Sequence, residues 1–254
     1  MRDIALLGID VGFSRKRPTT GVAWSSGTEF GASKTHTDWD SRKQHIPPAT
    51  TFAIIAIDGP LVPVGSSDNL ERICERLFIR GAFHTRCKPG LSHHGYGRDL
   101  RRAAAETASQ VSHLVSLGSK TDRQIRDGVS IVEAFPNAFL GVLLPDACFS
   151  GPAAGKRKKF DWLYEHAIRQ GTFEAVMAAV GWENPALLAR IISERDHEKR
   201  AAWICLLTAA CAASGEAEVV GDAGSGWFWL PPLKLWAPWA TEALAKNRRQ
   251  LGLA

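Results

Sequence analysis

The sequence predicts an α/β protein: a mixed sheet in which an antiparallel three-strand meander is continued by parallel strands, with helices on the faces. Three observations predict it. Residues 4–11, 52–57 and 129–134 are apolar runs of strand length, and continuous apolarity belongs to strands buried on both faces, which helices must then cover. Residues 20–24 and 30–34 follow the first run, with a turn at Ser25-Ser26-Gly27 between them, the spacing of a meander. Helical segments lie between and after these runs. At 254 residues the chain can bury a full core. It reads as one domain over 1–254, with a basic loop insertion near 84–100 and a Trp- and Pro-rich C-terminal extension from about 222.

The first strand ends in Asp10, flanked by Gly8 and Gly12. A buried strand has no structural need for that carboxylate, although turn chemistry is an alternative use of it. The glycines let the backbone, or something bound to it, approach closely. Residues 14–18 and 38–48 read as polar loops. The second apolar run repeats the opening design: an apolar stretch, then Asp58, then Gly59. Asp68-Asn69-Leu70-Glu71 resembles a helix start, and that helix is expected to run to Arg80 and stop at Gly81. Its Arg72, Arg76 and Arg80 share a face by their i, i+4 spacing. Residues 89–97, rich in Gly and His, read as a loop, and 101–117 as a helix. The third apolar strand carries Glu133 near its end. Helices are expected over 137–144, 160–170, 173–180 and 185–213, the last being the longest. Short strands at 219–220 and 227–230 and a basic helix over 241–251 close the chain.

The net charge is +5, and between residues 71 and 102 eight Lys and Arg stand against three acids. That one segment therefore carries an excess equal to the whole chain's, which permits a polyanionic partner. The five cysteines are odd in number and form no C-x-x-C pair, which favours reduced thiols and a cytoplasmic location over a disulfide framework. The N-terminal apolar run is short and broken by Asp10, unlike a signal peptide. No segment suits a membrane span, and residues 201–213 read as a buried helix.

Asp10, Asp58 and Glu133 each stand at or near a strand end. In neighbouring strands they would gather at one edge, where carboxylates without a partner repel and take up protons. Mg²⁺ or Mn²⁺ would relieve this, since both prefer oxygen ligands, and two such ions about 3.5–4 Å apart activate water for phosphodiester cleavage. The long helix offers Glu194, Asp196 and Glu198. At about 100° per residue Glu198 lines up with Cys205 on the packed side, so Glu198 is the expected fourth acid. Asp196 falls on the opposite side, available to solvent or Arg200.

Gly8-Ile9-Asp10-Val11-Gly12, Ile57-Asp58-Gly59-Pro60, Arg72 to Arg80, Val132-Glu133-Ala134-Phe135-Pro136 and Leu206-Leu207-Thr208-Ala209, taken in order, resemble the domain-of-unknown-function 429 proteins, predicted RNase H-like nucleases. The resemblance runs from residue 4 to about 232. It implies an RNase H-like α/β sheet with Asp10, Asp58 and Glu133 as the acidic cluster. The family's late helix tends to carry an acid-x-x-Asp-Ala pattern. Here the matching stretch is Glu198-Lys199-Arg200-Ala201-Ala202, so Ala201 replaces the second acid.

The expected reading is a metal-dependent nuclease or phosphodiesterase with Asp10, Asp58, Glu133 and Glu198 as catalytic and metal-holding acids. Arg76 and Arg80 on the helix face, and Arg86, Lys88 and Arg98 on the loop, are the expected phosphate contacts. Interleaved Glu71 and Glu75 also allow a salt-bridged face in place of a phosphate grip. Two other readings stand beside it. Asp10-Val11-Gly12 with Thr19-Thr20-Gly21 suits a nucleotide-binding ATPase or kinase of the actin-like class. Ala201 suits a non-catalytic nucleic-acid-binding protein of the same fold. Cys74, His84, Cys87 and His93 or His94 match no standard zinc spacing. Residues 151–156 lack the spacing and the Ser or Thr of a phosphate loop. Trp227, Trp229, Trp236 and Trp239 read as packing for the C-terminal segment rather than as base-stacking platforms.

Overall fold

A computed structural model describes residues 4–12, 14, 16–63, 65–87, 90–115, 130–150 and 159–253. Among these, seven strands form one sheet: β1 (Leu6–Asp10), β2 (Thr20–Ser26), β3 (Glu29–Thr35), β4 (Ile54–Asp58), β5 (Ile131–Ala134), β6 (Glu218–Asp222) and β7 (Gly226–Leu230). Their order is β3-β2-β1-β4-β5-β7-β6. The first three are the antiparallel meander, and β4 and β5 run parallel to β1. The expected mixed sheet is therefore present. The β2–β3 turn passes through Gly27 at φ +60°, a left-handed conformation that glycine adopts without strain. The late strands are not an appendage: β7 joins β5 in parallel at Ala134 and Trp229, and β6 pairs antiparallel with β7. The C-terminal segment thus completes the sheet.

The helices are α1 (Trp39–Lys43), α2 (Ile73–Phe78), α3 (Gly81–Cys87), α4 (Tyr96–Val111), α5 (Pro136–Leu143), α6 (Lys159–Arg169), α7 (Thr172–Ala179), α8 (Pro185–Ser193), α9 (His197–Ser214) and α10 (Pro238–Gln250). Several differ from expectation. The helix expected over 185–213 is two. The Glu194 carboxylate accepts from the backbone N–H groups of Arg195 and Asp196, and Asp196 then caps α9 through Glu198 and Lys199 N–H; this local bonding interrupts the helix. The helix expected over 71–80 is only α2, and the stretch after Gly81 is helical rather than loop. The basic loop near 84–100 is largely consumed by α3 and by α4, which starts five residues earlier than 101. Within the loop expected over 38–48, α1 forms on its own cap, Ser41 N–H donating to Asp38.

Both faces of the sheet are covered. On one, α9 crosses β1, β2 and β4 and is itself roofed by α5, α6 and α8 within the main apolar cluster. Sandwiched in this way, α9 is buried at every position from Arg200 to Ala212, which explains its apolar sequence all round. On the other face α4 packs Ala104 and Val111 against Ile55 and Ile57. A third cluster seats α2, α3 and α10 beside β6 and β7, with Phe78 stacked on Phe83 at 4.3 Å. Here Trp236 and Trp239 donate to the carbonyls of Pro231 and Leu144, in keeping with a packing role. Among the described residues no helix is long and apolar enough to cross a membrane.

Candidate active site

The pairing register of four strands aligns one row of residues. Lys34 on β3 pairs with Gly21 on β2, Gly21 with Asp10 on β1, and Asp10 with Asp58 on β4. Residues paired across neighbouring strands share a face of the sheet, so Lys34, Asp10 and Asp58 lie together on the α9 side. Glycine decides how close α9 comes. A Cβ on Gly21 would stand 1.9 Å from the Glu198 carbonyl oxygen, and one on Gly8 2.3 Å from the Leu206 amide nitrogen. The helix backbone therefore rests directly on the sheet at both points. Gly8 makes room for α9 rather than for a ligand, and Gly12 makes room for Thr19, whose carbonyl oxygen would lie 2.3 Å from its Cβ.

Seated on Gly21, the first turn of α9 delivers its acids to the row. Lys34 Nζ donates to Glu198 Oε2 at 2.7 Å and lies 3.5 Å from Asp196 Oδ2. Glu198 is brought in as expected. Asp196 also faces this side, because it is the capping residue of α9 rather than a residue inside a longer helix. Arg200 is committed elsewhere, to Glu165, Asp161 and the Glu194 carbonyl. Ala201 is buried in the main cluster and adds no oxygen.

Asp10 and Asp58 are half-buried at the sheet edge. Burial, then Asp58, Glu198 and Asp196, push the Asp10 carboxyl well above the usual range, with Lys34 pulling the other way. Burial and then Glu133 push Asp58 up to about 7. Lys34 is held more firmly charged, chiefly by its hydrogen bond to Glu198. Cys205 packs beneath this pair with its thiol pushed well up by burial, then by Asp58 and Asp10, so it is not a thiolate nucleophile. Adjacent carboxyls that resist ionisation are the chemistry a hard cation relieves. Two carboxyls alone would leave most of the coordination shell of Mg²⁺ or Mn²⁺ to water. Among the described residues no three His, Cys, Asp or Glu side chains converge closely enough to form a metal cage.

Glu133 faces the other side of the sheet, although its charge reaches Asp58. It pairs with Ile57, not Asp58, and a one-residue offset in a strand reverses the face. It points to the α4 side, where Arg72 meets it at 2.9 and 2.5 Å and Leu61 N–H donates at 2.7 Å. Arg72 is fully buried and also holds Glu75 at 3.1 Å and the Ser225 carbonyl at 2.8 Å. Glu75 accepts in turn from Ser92 N–H. Burial pushes the Glu133 carboxyl up to about 7 against the pull of Arg72; burial likewise opposes the charge on Arg72, and Glu133 more than restores it. Expected as a metal ligand, Glu133 has its oxygens held by Arg72 and Leu61 N–H and stands at the centre of a clamp tying α2 and the β6–β7 turn to β5.

The expected phosphate contacts divide in the same way. Arg86 is a packing residue, ion-paired with Asp146 at 2.5 Å and lying over the Trp239 and Phe149 rings at 4.3 and 4.9 Å. Arg98 ties loops together through the His93 carbonyl and Asn69 while staying partly exposed. Arg76 is partly exposed and Arg80 exposed, but both stand on the α2 side, away from the row. Lys88 lies outside the described residues. The residue the sequence reading missed is Lys34. Its signal was the hairpin: once the Gly27-Thr28 turn fixes the register, Lys34 must face Gly21 and share a row with Asp10. This chain matches no family model, no curated protein and no solved structure.

Proposed function

We propose that this chain is a metal-dependent phosphodiesterase of RNase H-like fold acting on nucleic acid, in line with its resemblance to the domain-of-unknown-function 429 proteins. The observation that carries the reading is the pairing of Asp10 with Asp58 at the carboxyl ends of parallel strands, under the helix turn that supplies Glu198. The strand order, a meander continued by parallel strands, agrees with that fold. In this reading Asp10 and Asp58 hold one Mg²⁺ or Mn²⁺, and Glu198 and Lys34 orient around it. When bound, the ion would supply Lewis acidity and an activated water. The substrate backbone would lie along the carboxyl edge, where Lys16 and Arg17 after β1 are exposed and a cleft of about 480 Å³ opens beside Gly12, lined by His36, Asp99 and Arg102.

The test is cleavage of single- and double-stranded DNA and RNA by purified protein with Mn²⁺. Asp10→Asn and Asp58→Asn are expected to lower it by about a hundredfold or more. Glu133→Gln is expected to retain cleavage in its folded fraction, because Glu133 faces the other side of the sheet. No divalent-dependent cleavage across the panel, or cleavage indifferent to both Asp substitutions, overturns the reading. The engagement of Glu198 by Lys34, with Ala201 buried beside it, favours a second reading, a nucleic-acid-binding protein without turnover. Salt-sensitive binding unaffected by Asp10→Asn would select it.

A further inference from the structure

We propose that the outer edge of β3 is an interaction surface and that its partner is a second copy of this chain, the two β3 strands pairing antiparallel about Ala32. The surface is independent of the reaction proposed above. Among the described residues β3 stands first in the sheet and has only β2 as a strand neighbour. The hairpin fixes which of its backbone groups are used. Gly27 and Thr28 form a two-residue loop closed by the pair Ser26 and Glu29, and the closing pair of such a loop is hydrogen-bonded. Along an antiparallel ladder, hydrogen-bonded and non-hydrogen-bonded pairs then alternate. Glu29, Gly31, Ser33 and Thr35 therefore turn their N–H and C=O groups toward β2, while Phe30, Ala32 and Lys34 turn theirs outward. Among the described residues these three have no backbone hydrogen bond to another segment, and all three are partly exposed.

The devices that ordinarily blunt an edge strand are missing from β3. It has seven residues, no proline and an unbroken register with β2. Its lysine is drawn onto the α9 face by Glu198 and does not guard the edge. The other edge of the sheet differs, since β6 has five residues and an acid at each end. The spacing of the outward residues suits self-pairing. A two-fold axis at Ala32 sets residue 32 against itself and 30 against 34, so every outward N–H and C=O of the three residues gains a partner. A shift by two residues leaves one of the three unmatched, and a shift by one sets outward groups against inward ones. Residues paired across strands share a face, so Phe30 lies beside the partner's Lys34, whose aliphatic stem packs on the ring. Glu29 is set against Thr35 of the partner subunit, so no like charges meet, and Gly31, Ala32 and Ser33 keep the axis free of bulk. The contact is isologous and makes one continuous sheet. The carboxyl edges of the two copies point in opposite directions, which leaves both carboxylate rows open.

The test is the mass of the wild-type protein by sedimentation equilibrium across a dilution series, with amide hydrogen exchange read by NMR at both ends of it. Twice the mass of one chain is expected at the concentrated end, falling on dilution. The Phe30, Ala32 and Lys34 amides are expected to exchange about tenfold more slowly in the dimer than in the diluted protein, with Gly31 and Ser33 slow in both. Ala32→Pro removes an N–H that faces outward, which an edge strand tolerates, and is expected to give a monomer that keeps the slow Gly31 and Ser33 amides. Ala32→Asp sets two like charges at the axis and is expected to give a monomer as well. A monomer at every concentration overturns the proposal, including the case in which the edge takes up some other extended peptide. A dimer whose Phe30, Ala32 and Lys34 amides exchange as fast as in the monomer, or one that survives both substitutions, has its contact elsewhere and overturns it equally. If a variant fails to fold, the wild-type mass and exchange decide alone.

Discussion

Two clusters of acids and bases lie on opposite faces of one sheet, a single residue apart in register, and they are built on opposite principles. In the Arg72 cluster each carboxylate oxygen of Glu133 and Glu75 has a donor: Arg72, Leu61 N–H or Ser92 N–H. In the Asp10 row, Asp10 and Asp58 lie side by side on β1 and β4, and Lys34 spends its contacts on Glu198 and Asp196. The first cluster is closed and buried, so it is a fastening. The second is open at the edge and short of positive charge, which is the condition that invites a cation. Acid count alone does not separate them; completeness of compensation does.

Breaking the fastening should have the largest effect on stability. Arg72→Met leaves Glu133 and Glu75 buried without their partner and is expected to cost about 3–5 kcal/mol, read as a lowered midpoint in urea unfolding. Asp10→Asn should do the reverse in the absence of divalent ions and raise the midpoint, because it removes a charge the folded state resists. If both substitutions destabilise equally, the contrast between the clusters is lost.

Cations should sharpen the contrast next. At a hundredfold excess over its dissociation constant, Mn²⁺ is expected to stabilise the wild type by about 2.7 kcal/mol and to leave Asp58→Asn unmoved, as thermal unfolding would show. Gly21→Ala puts a methyl group into the α9 backbone and is expected to cost about 1–3 kcal/mol while also weakening Mn²⁺ binding, since it lifts Glu198 from the row. Calorimetry on the folded variant separates the two losses.

The raised carboxyl also makes stability depend on pH. The Asp58 carboxyl titrates at about 7 when folded, above its ordinary 3.8. Below 3.8 both states hold the proton and there is no penalty. Between about 4 and 7 the unfolded chain releases its proton and the folded chain keeps it, so stability falls as pH rises; above about 7 the penalty is complete and constant. The stability of Asp58→Asn relative to the wild type should therefore grow across that window and then level off. Denaturant unfolding at a series of pH values would show it, and a gap that does not change with pH would count against the raised Asp58.

Much of the frame was legible beforehand because it rests on local pattern. The apolar runs ending in Asp10 and Asp58 identified β1 and β4, and the turn near Gly27 identified the meander. Glu133 was misplaced because its run looks the same from either face: only the register with β4 shows that it pairs with Ile57. The break between α8 and α9 was hidden because apolar residues continue through both helices, and the Glu194 and Asp196 side chains that end one and start the other read equally well as helix interior. Arg86 was expected at a phosphate, and Arg72 on an arginine face, because composition cannot show that the Trp239 ring waits for one and Glu133 for the other.

The sequence by itself determined the strands, the two strand-end aspartates and the apolarity of α9, since each depends on neighbours along the chain. Tertiary structure decided which face each acid occupies, that Gly8 and Gly21 are seats for a helix, and that Lys34 from a distant strand stands in the site. These depend on pairing register and on the close approach of backbones far apart in sequence, and a shift of one residue in a strand is enough to move an acid from the open row to the fastening.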